Sequence, residues 1–232
     1  MSIAVIKGKV SHSGSEDILT ASVFGPLRYL SFNEFLKPIL EQSKNLAHQR
    51  LKLSYADHMP DLIFWPTRYR REPDMELTVG QKKLFIEVKF HSSKSGEGKH
   101  DQLANQYVDL HNDLQHLQNT EGTDGAIIYL TKDRLMPEEI LYNSIRSEGI
   151  KEENRDKFRS NLYWLSWFDV WSFISKKNEQ ISTFPDTLIL QDLCELLEKQ
   201  ELAHFTGFRV TNKDVVRETE KEKIFYYESR KR

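Results

Sequence analysis

The sequence lacks several features that would place it in a specialised class of protein. Its single cysteine, Cys194, excludes an internal disulfide and a cysteine-based zinc cluster. No run approaches the roughly 18 apolar residues that a membrane-spanning helix needs. The first 14 residues lack the apolar segment of a secretory signal. Phosphate-loop and dinucleotide-binding motifs are absent too, which argues against a nucleotide-driven motor and a nicotinamide enzyme, and no nucleophile elbow occurs.

An excess of charge of one sign is also absent. The 232 residues include 33 Lys and Arg against 35 Asp and Glu, so the net charge is −2. This balance excludes a uniformly basic nucleic-acid-binding surface, although it allows a local basic patch. Hydrophobic residues make up 38% of the chain, which suffices for a buried core. We therefore expect a globular, soluble protein of the cytoplasm.

The first half of the chain changes from a helical to a strand-like period. Residues 15–30 predict a helix that Pro26 interrupts, and residues 32–49 predict a second helix with a break at Pro38. Three strand-like segments follow, at residues 61–65, 73–79 and 82–90. Gly80 and Gln81 separate the last two segments, so we expect these to form a hairpin.

The second half alternates between helical and strand-like patterns. An apolar stripe that begins at Leu103 predicts a helix, and the stretch 125–131 predicts a buried strand. A further strand is expected at 161–167, with helices at 137–148, 168–177 and 186–200. The highly charged stretch 146–159 is expected to be a solvated connection. This order predicts an α/β protein whose mixed β-sheet is flanked by helices.

Three polar residues on the expected hairpin carry the chemistry. Glu87 and Lys89 are two residues apart on one strand, so their side chains leave the same face of the sheet. The hairpin would bring Asp74 close to Glu87, and two neighbouring carboxylates favour a bound divalent cation. Oxygen ligands suit Mg²⁺ or Mn²⁺. The alternative is that Glu87 and Lys89 are an ordinary solvent-facing pair on a strand.

The spacing of these residues resembles the signature of the PD-(D/E)XK nuclease superfamily. Pro73 and Asp74 are followed after twelve residues by Glu87, Val88 and Lys89. The superfamily includes many restriction endonucleases, archaeal Holliday-junction resolvases and RecB-type nuclease domains. The resemblance implies a restriction-endonuclease-like sheet and metal-dependent hydrolysis of phosphodiester bonds. It makes Asp74 and Glu87 the metal ligands and Lys89 the catalytic lysine.

The resemblance extends to residues on the two neighbouring helices. Many members place a glutamate of the first core helix at the metal site, and Glu16 is the best match here. Members related to RecB carry a Gln and a Tyr on the helix after the lysine strand. Gln102 and Gln106 are the corresponding catalytic candidates, although their spacing to Tyr107 departs from the usual pattern. Tyr107 itself lies in the apolar stripe and is expected in the core.

The resemblance also implies how the chain is divided. We expect a flexible N-terminus (1–14), a nuclease core (15–135), a C-terminal extension of helices and a strand packed on that core (136–208) and a charged tail (209–232). The candidates for a local nucleic-acid-binding patch lie on either side of the motif: Arg68, Arg70, Arg71, Lys94 and Lys99. An equally simple interpretation is that these charges are solvated. The eight histidines form no convincing metal set.

These observations lead us to expect a Mg²⁺- or Mn²⁺-dependent DNA endonuclease. The C-terminal region resembles extensions of some prokaryotic members, which indicates anti-phage defence or DNA processing. Two alternatives stay open. The chain is then either a catalytically degenerate nuclease-fold module for nucleic-acid binding or complex assembly, or a nuclease subunit that is active only with a partner protein or as a homodimer.

Overall fold

The computed structural model describes residues 16–67, 71–90, 92, 94–116, 124–181 and 184–203. Within these residues the protein has an α/β fold with six strands and seven α-helices. The strands are β1 (Lys44–Asn45), β2 (Asp61–Phe64), β3 (Met75–Val79), β4 (Lys82–Val88), β5 (Asp124–Thr131) and β6 (Leu162–Ser166). The helices are α1 (Glu16–Leu27), α2 (Leu36–Leu40), α3 (Gln102–His116), α4 (Glu138–Ile145), α5 (Glu152–Asn161), α6 (Trp167–Gln180) and α7 (Asp186–Lys199).

The strands form one mixed sheet in the order β1-β6-β5-β4-β3-β2. Three of the four inner strands, β4, β5 and β6, run parallel, so their carboxyl ends meet at one edge, which we call the carboxyl edge. The predicted hairpin is confirmed, because β3 pairs antiparallel with β4 and Val79 lies opposite Lys82. Gly80 adopts a φ of 57° in the connecting turn, a conformation that favours glycine.

Helices cover both faces of the sheet. On one face Leu84, Ile86 and Val88 of β4 pack into a large apolar cluster with α1, α2, α6 and α7. On the other face Phe85 and neighbouring side chains pack against α3, α4 and α5. The predicted alternation of β4 is therefore confirmed. The four tryptophans and Cys194 are buried in these clusters.

The predicted helix over 32–49 is found only at Leu36–Leu40, and it is wrong before and beyond these residues. Pro38 lies inside the short α2, and the chain then turns into β1, which pairs with β6. The side chain of Asn45 replaces the helical hydrogen bonds, because its Oδ1 accepts the N–H groups of Ala47 and Gln49 at 3.0 Å each. Asparagine competes with helix formation in this way through local side-chain bonds.

The charged stretch 146–159 is likewise not a plain connection. It contains most of α5, which buries Phe158 in contact with the ring of Tyr107 at 4.3 Å between centroids. Acidic Glu152 and Glu153 in the first turn and Arg159 in the last complement the helix dipole. The region expected as a C-terminal extension also supplies β6, which lies inside the sheet between β1 and β5. No helix in the described part of the chain is long and apolar enough to cross a membrane.

Candidate active site

The β3–β4 hairpin brings Asp74 beside the end of β4. Asp74 directly precedes Met75, which pairs with Ile86, so the next position on the partner strand is Glu87. The backbone N–H of Val88 donates to Oδ2 of Asp74 at 2.7 Å, and the N–H of Trp65 holds the Asp74 carbonyl at 3.0 Å. Oδ1 of Asp74 accepts no hydrogen bond from the described residues. The hairpin thus presents one free carboxylate oxygen at the carboxyl edge.

Glu87 is buried, with 1% of its surface exposed. Its Oε1 accepts hydrogen bonds from Lys89 Nζ at 2.6 Å and from Gln102 Nε2 at 2.7 Å. Its Oε2 accepts one from Gln106 Nε2 at 2.6 Å. Because Gln102 and Gln106 are one helical turn apart, α3 donates a hydrogen bond to each carboxylate oxygen of Glu87. The alternative of a solvent-facing strand pair is therefore wrong, since α3 covers this face.

Lys89 follows β4 and keeps a partly open position. Its side chain is 12% exposed, and its backbone N–H donates to the carbonyl of Leu130 on β5 at 2.8 Å. The ammonium has three N–H groups, and Glu87 accepts one of them. The other two have no acceptor among the described residues, so they are available to a group that enters the site.

Glu16, at the start of α1, reaches the segment just beyond Lys89. Its Oε2 accepts the backbone N–H of Phe90, and its Oε1 accepts Ser92 Oγ at 2.6 Å. Both oxygens of this third predicted metal ligand are therefore engaged by the chain after β4. Its charge nonetheless acts on the site, because it helps to raise the pKa values of both Glu87 and Lys89.

The electrostatics of the site reflect buried like charges. Burial, and next the nearby Glu87, raise the pKa of Asp74 well above its usual value. Burial also raises the pKa of Glu87, although Lys89 and Gln106 oppose that rise. Burial alone would lower the pKa of Lys89, but the attraction and hydrogen bond of Glu87, together with the charges of Asp74 and Glu16, outweigh it and the pKa is raised. The ammonium stays charged, and the two carboxylates repel each other.

This donor set fits a small divalent cation that keeps most of its water. Asp74 Oδ1 is free, and Glu87 Oε2 accepts one hydrogen bond where a carboxylate oxygen can accept two. Among the described residues, no group of three or more His, Cys, Asp or Glu is arranged to hold a metal. Mg²⁺ is often bound by only one or two carboxylates together with waters and substrate phosphates, so two ligands suit it.

Two described residues of the predicted basic patch, Lys94 and Lys99, lie beside carboxylates. Lys94 is 9% exposed and forms an ion pair with the buried Asp101. Lys99 is 75% exposed and lies 3.9 Å from Glu148, which is the geometry of a weak surface pair. The backbone N–H of Arg71 donates to Asp109 on α3 at 3.3 Å. Arg68 and Arg70 lie outside the described residues.

Asp101 was not predicted as a site residue, but it stabilises the start of the helix that carries both glutamines. Its Oδ1 accepts the N–H of Ala104 at 3.0 Å and so caps α3, the helix that carries Gln102 and Gln106. Its Oδ2 accepts the hydroxyl of Ser144 at 3.1 Å and pairs with Lys94. An aspartate directly before an apolar helical stripe is a typical N-cap signal that could have identified it.

Comparisons with known proteins provide one distant relative. The chain is 24% identical over 198 residues to an uncharacterized protein of Pasteurella multocida (strain Pm70), PM0110. The match covers 78% of this chain and 68% of that protein. No protein-family model matches the chain. No solved structure matches it either.

Proposed function

We propose that this protein is a Mg²⁺- or Mn²⁺-dependent nuclease of the restriction-endonuclease-like type that hydrolyses phosphodiester bonds in DNA. One observation carries the proposal. Asp74, Glu87 and Lys89 stand together at the end of a hairpin, with Lys89 Nζ 2.6 Å from Glu87 and a free oxygen on Asp74. Two carboxylates and a lysine in this arrangement suit the binding and hydrolysis of a phosphodiester. Anti-phage defence and DNA processing are the cellular roles that the sequence resemblance favours.

The metal site would consist of Asp74 and Glu87. A divalent cation bound there would polarise a phosphoryl oxygen and lower the pKa of a water molecule. Burial and then repulsion by Glu87 raise the pKa of Asp74 in the protein alone, and both effects favour a cation that would offset the two carboxylate charges. Glu16 is close enough to add its negative charge to the field of the site.

The remaining residues orient the reacting groups. The free N–H groups of Lys89 can hold the attacking water or stabilise charge that develops on the phosphoryl oxygens. Gln102 and Gln106 hold Glu87 through one oxygen each, so the carboxylate keeps a single orientation. Asp101 in turn fixes the first turn of α3 and therefore the position of Gln102.

The test is a plasmid-cleavage assay with Mg²⁺, Mn²⁺ and EDTA for the wild type, Lys89→Ala and Lys82→Ala. Loss of Lys89 should lower the rate by about 100-fold or more, as removal of one such donor does in other enzymes. Lys82 is the matched control on the same strand, where it pairs with Asp124 at the surface at 3.1 Å. Metal-independent cutting, or an unchanged rate in Lys89→Ala, would contradict the proposal.

A second candidate function is nucleic-acid binding or complex assembly without cleavage. The observation that favours it is that three donors already satisfy Glu87, which a structural role would also explain. A calorimetric titration with Mn²⁺, on the wild type and on Asp74→Ala, separates the two functions. Metal binding that Asp74→Ala abolishes supports the nuclease. Absence of metal binding in the wild type, together with retained DNA binding, supports the module.

A further inference from the structure

We propose that Lys132 and Arg134, in the turn that follows β5, contact the phosphate backbone of the nucleic acid and lead it to the candidate active site. The inference rests on the proposed function and names the surface that binds its substrate. Two lysines of the predicted basic patch are already paired with carboxylates, because Lys94 is buried in an ion pair and Lys99 faces Glu148. Lys132 and Arg134 form no ion pair with any described residue.

The sheet places this turn at the same edge as the site. β4 and β5 run parallel, with Val88 opposite Leu130, so both strands end at the carboxyl edge. Lys89 follows one strand and Lys132 the other. Ligands of open α/β sheets bind outside the carboxyl ends of the strands, which is the general reason to expect a substrate here.

Aromatic rings hold both cations in fixed positions. Lys132 Nζ lies 4.7 Å from the centroid of Phe90, the residue directly after Lys89. The guanidinium carbon of Arg134 lies 4.2 Å from the centroid of Phe168, near the start of α6. Cation–π contacts orient a charged group without neutralising it. Both charges therefore remain available to an anion.

Side-chain hydrogen bonds to β5 and β6 stabilise the turn that carries the two cations. Trp164 Nε1 donates to Thr131 Oγ1 at 2.9 Å, and the Thr131 hydroxyl donates to Asp133 Oδ2 at 2.8 Å. Ser166 Oγ donates to the carbonyl of Asp133 at 2.6 Å. These bonds tie Asp133 back to β5 and β6, and they fix the backbone on either side of it. A turn built in this way can present its cations without first being ordered by the ligand.

A phosphodiester also needs such cations for electrostatic reasons. The site holds the carboxylates Asp74 and Glu87, with Glu16 and Asp17 close enough to perturb them, and among the described residues Lys89 is the cation that offsets them. Before a divalent cation is bound, an approaching phosphate would be repelled unless positive charge lay beside its path. Lys132 and Arg134 supply two such charges at the carboxyl edge, and each phosphate contact releases condensed counterions.

The test measures binding of a fluorescein-labelled DNA duplex, and of an RNA duplex of the same sequence, by fluorescence anisotropy across a salt series. EDTA and Ca²⁺ buffers are run separately, and plasmid cleavage is assayed in parallel. In the double variant Lys132→Gln/Arg134→Gln, loss of two phosphate contacts should reduce the salt slope by about 1.8. At 0.1 M salt the DNA affinity should fall by about 10- to 60-fold, as counterion release predicts.

Two matched variants separate charge from packing. Lys132→Arg/Arg134→Lys keeps both charges and should retain binding. Arg159→Gln/Lys177→Gln removes a similar pair of ring-contacting cations that lie on Tyr142, Phe35 and Phe173. Arg159 lies in the last turn of α5, just before β6, and Lys177 lies in the last turn of α6, so both are near the opposite edge of the sheet. This control should bind DNA like the wild type.

The outcomes distinguish this inference from the proposed function. Binding lost in the Gln variant but kept in the charge-retaining variant supports the inference, even if the wild type cuts nothing. If the Gln variant binds and cuts DNA as well as the wild type does, the inference is overturned and the proposed nuclease function is unaffected. Absence of wild-type binding to both duplexes in both buffers also overturns it. Binding to RNA in preference to DNA keeps the surface and changes the substrate.

Discussion

Replacing Asp74 with asparagine should stabilise the metal-free protein. Burial and the charge of Glu87 raise the pKa of Asp74, so ionised Asp74 opposes folding at neutral pH. Asparagine removes that charge, and its side-chain oxygen can still accept the N–H of Val88 that Asp74 Oδ2 accepts at 2.7 Å. The substitution therefore deletes the repulsion and keeps the hydrogen bond.

The expected gain is about 1–2 kcal/mol in the free energy of unfolding, which is typical when a functional site is relieved of electrostatic strain. For a chain of this size that corresponds to a rise of roughly 2–8 °C in Tm. The pH dependence has a definite sign. A raised pKa means that the folded protein takes up this proton before the unfolded chain does, so the wild type gains stability relative to the variant as the pH falls.

Thermal unfolding in EDTA, followed by calorimetry over a pH series, measures this difference. The advantage of Asp74→Asn should be complete above the folded pKa of Asp74 and should vanish below about 3.8, the ordinary value. Mg²⁺ or Mn²⁺ should raise the Tm of the wild type more than that of the variant, because the ion needs the carboxylate. Asp192→Asn, at an exposed position of α7, is the control and should change little.

A lower Tm for Asp74→Asn in EDTA at neutral pH would refute this reasoning. It would mean that the attraction between ionised Asp74 and Lys89 stabilises the fold more than burial and Glu87 oppose it. An advantage that grows as the pH falls would refute it equally, because the sign of the linkage would be reversed.

Two further substitutions should destabilise the fold, as chemical unfolding would show. Glu87→Gln should lower the free energy of unfolding by about 1–3 kcal/mol. The new amide NH₂ group would face one of the N–H donors that now bind Glu87, and that donor would be left unpaired. An unchanged stability would indicate that these hydrogen bonds are not formed. Lys83→Met should cost about 3–5 kcal/mol, because Lys83 lies 3.1 Å from the buried Glu76 and pairs with Asp113. Lys82→Met, which loses only a surface pair, should cost about 1 kcal/mol or less, and equal costs for the two lysines would contradict the reasoning.

Local patterns in the sequence were sufficient to predict the hairpin and its two faces. The alternation in β4 separates Leu84, Ile86 and Val88 from Glu87, and the turn at Gly80 sets the register with β3. These features depend on neighbours a few residues apart along the chain, and side-chain period and turn chemistry encode such neighbours directly. The proximity of Asp74 to Glu87 follows from them.

The prediction of a long helix after Ser31 was wrong because this part of the structure depends on residues that are distant in the sequence. Its sequence has helical spacing, but Asn45 and the pairing of β1 with β6 involve residues more than 110 positions apart, as in the hydrogen bond from Asn45 to the carbonyl of Ser160. A periodic pattern contains no information about a partner at that distance. Propensity is a weak preference that tertiary contacts can override.

The sequence by itself determined which residues make up the candidate site: Asp74, Glu87, Lys89 and the two glutamines. Only the tertiary structure decided how they are used. It buries Glu87 under α3, ties Lys94 to Asp101, and brings Lys132 and Arg134 to the edge where β4 ends. Residue type and local spacing specify the available charges, whereas the parallel pairing of distant strands and the packing of a helix on them specify which charges meet.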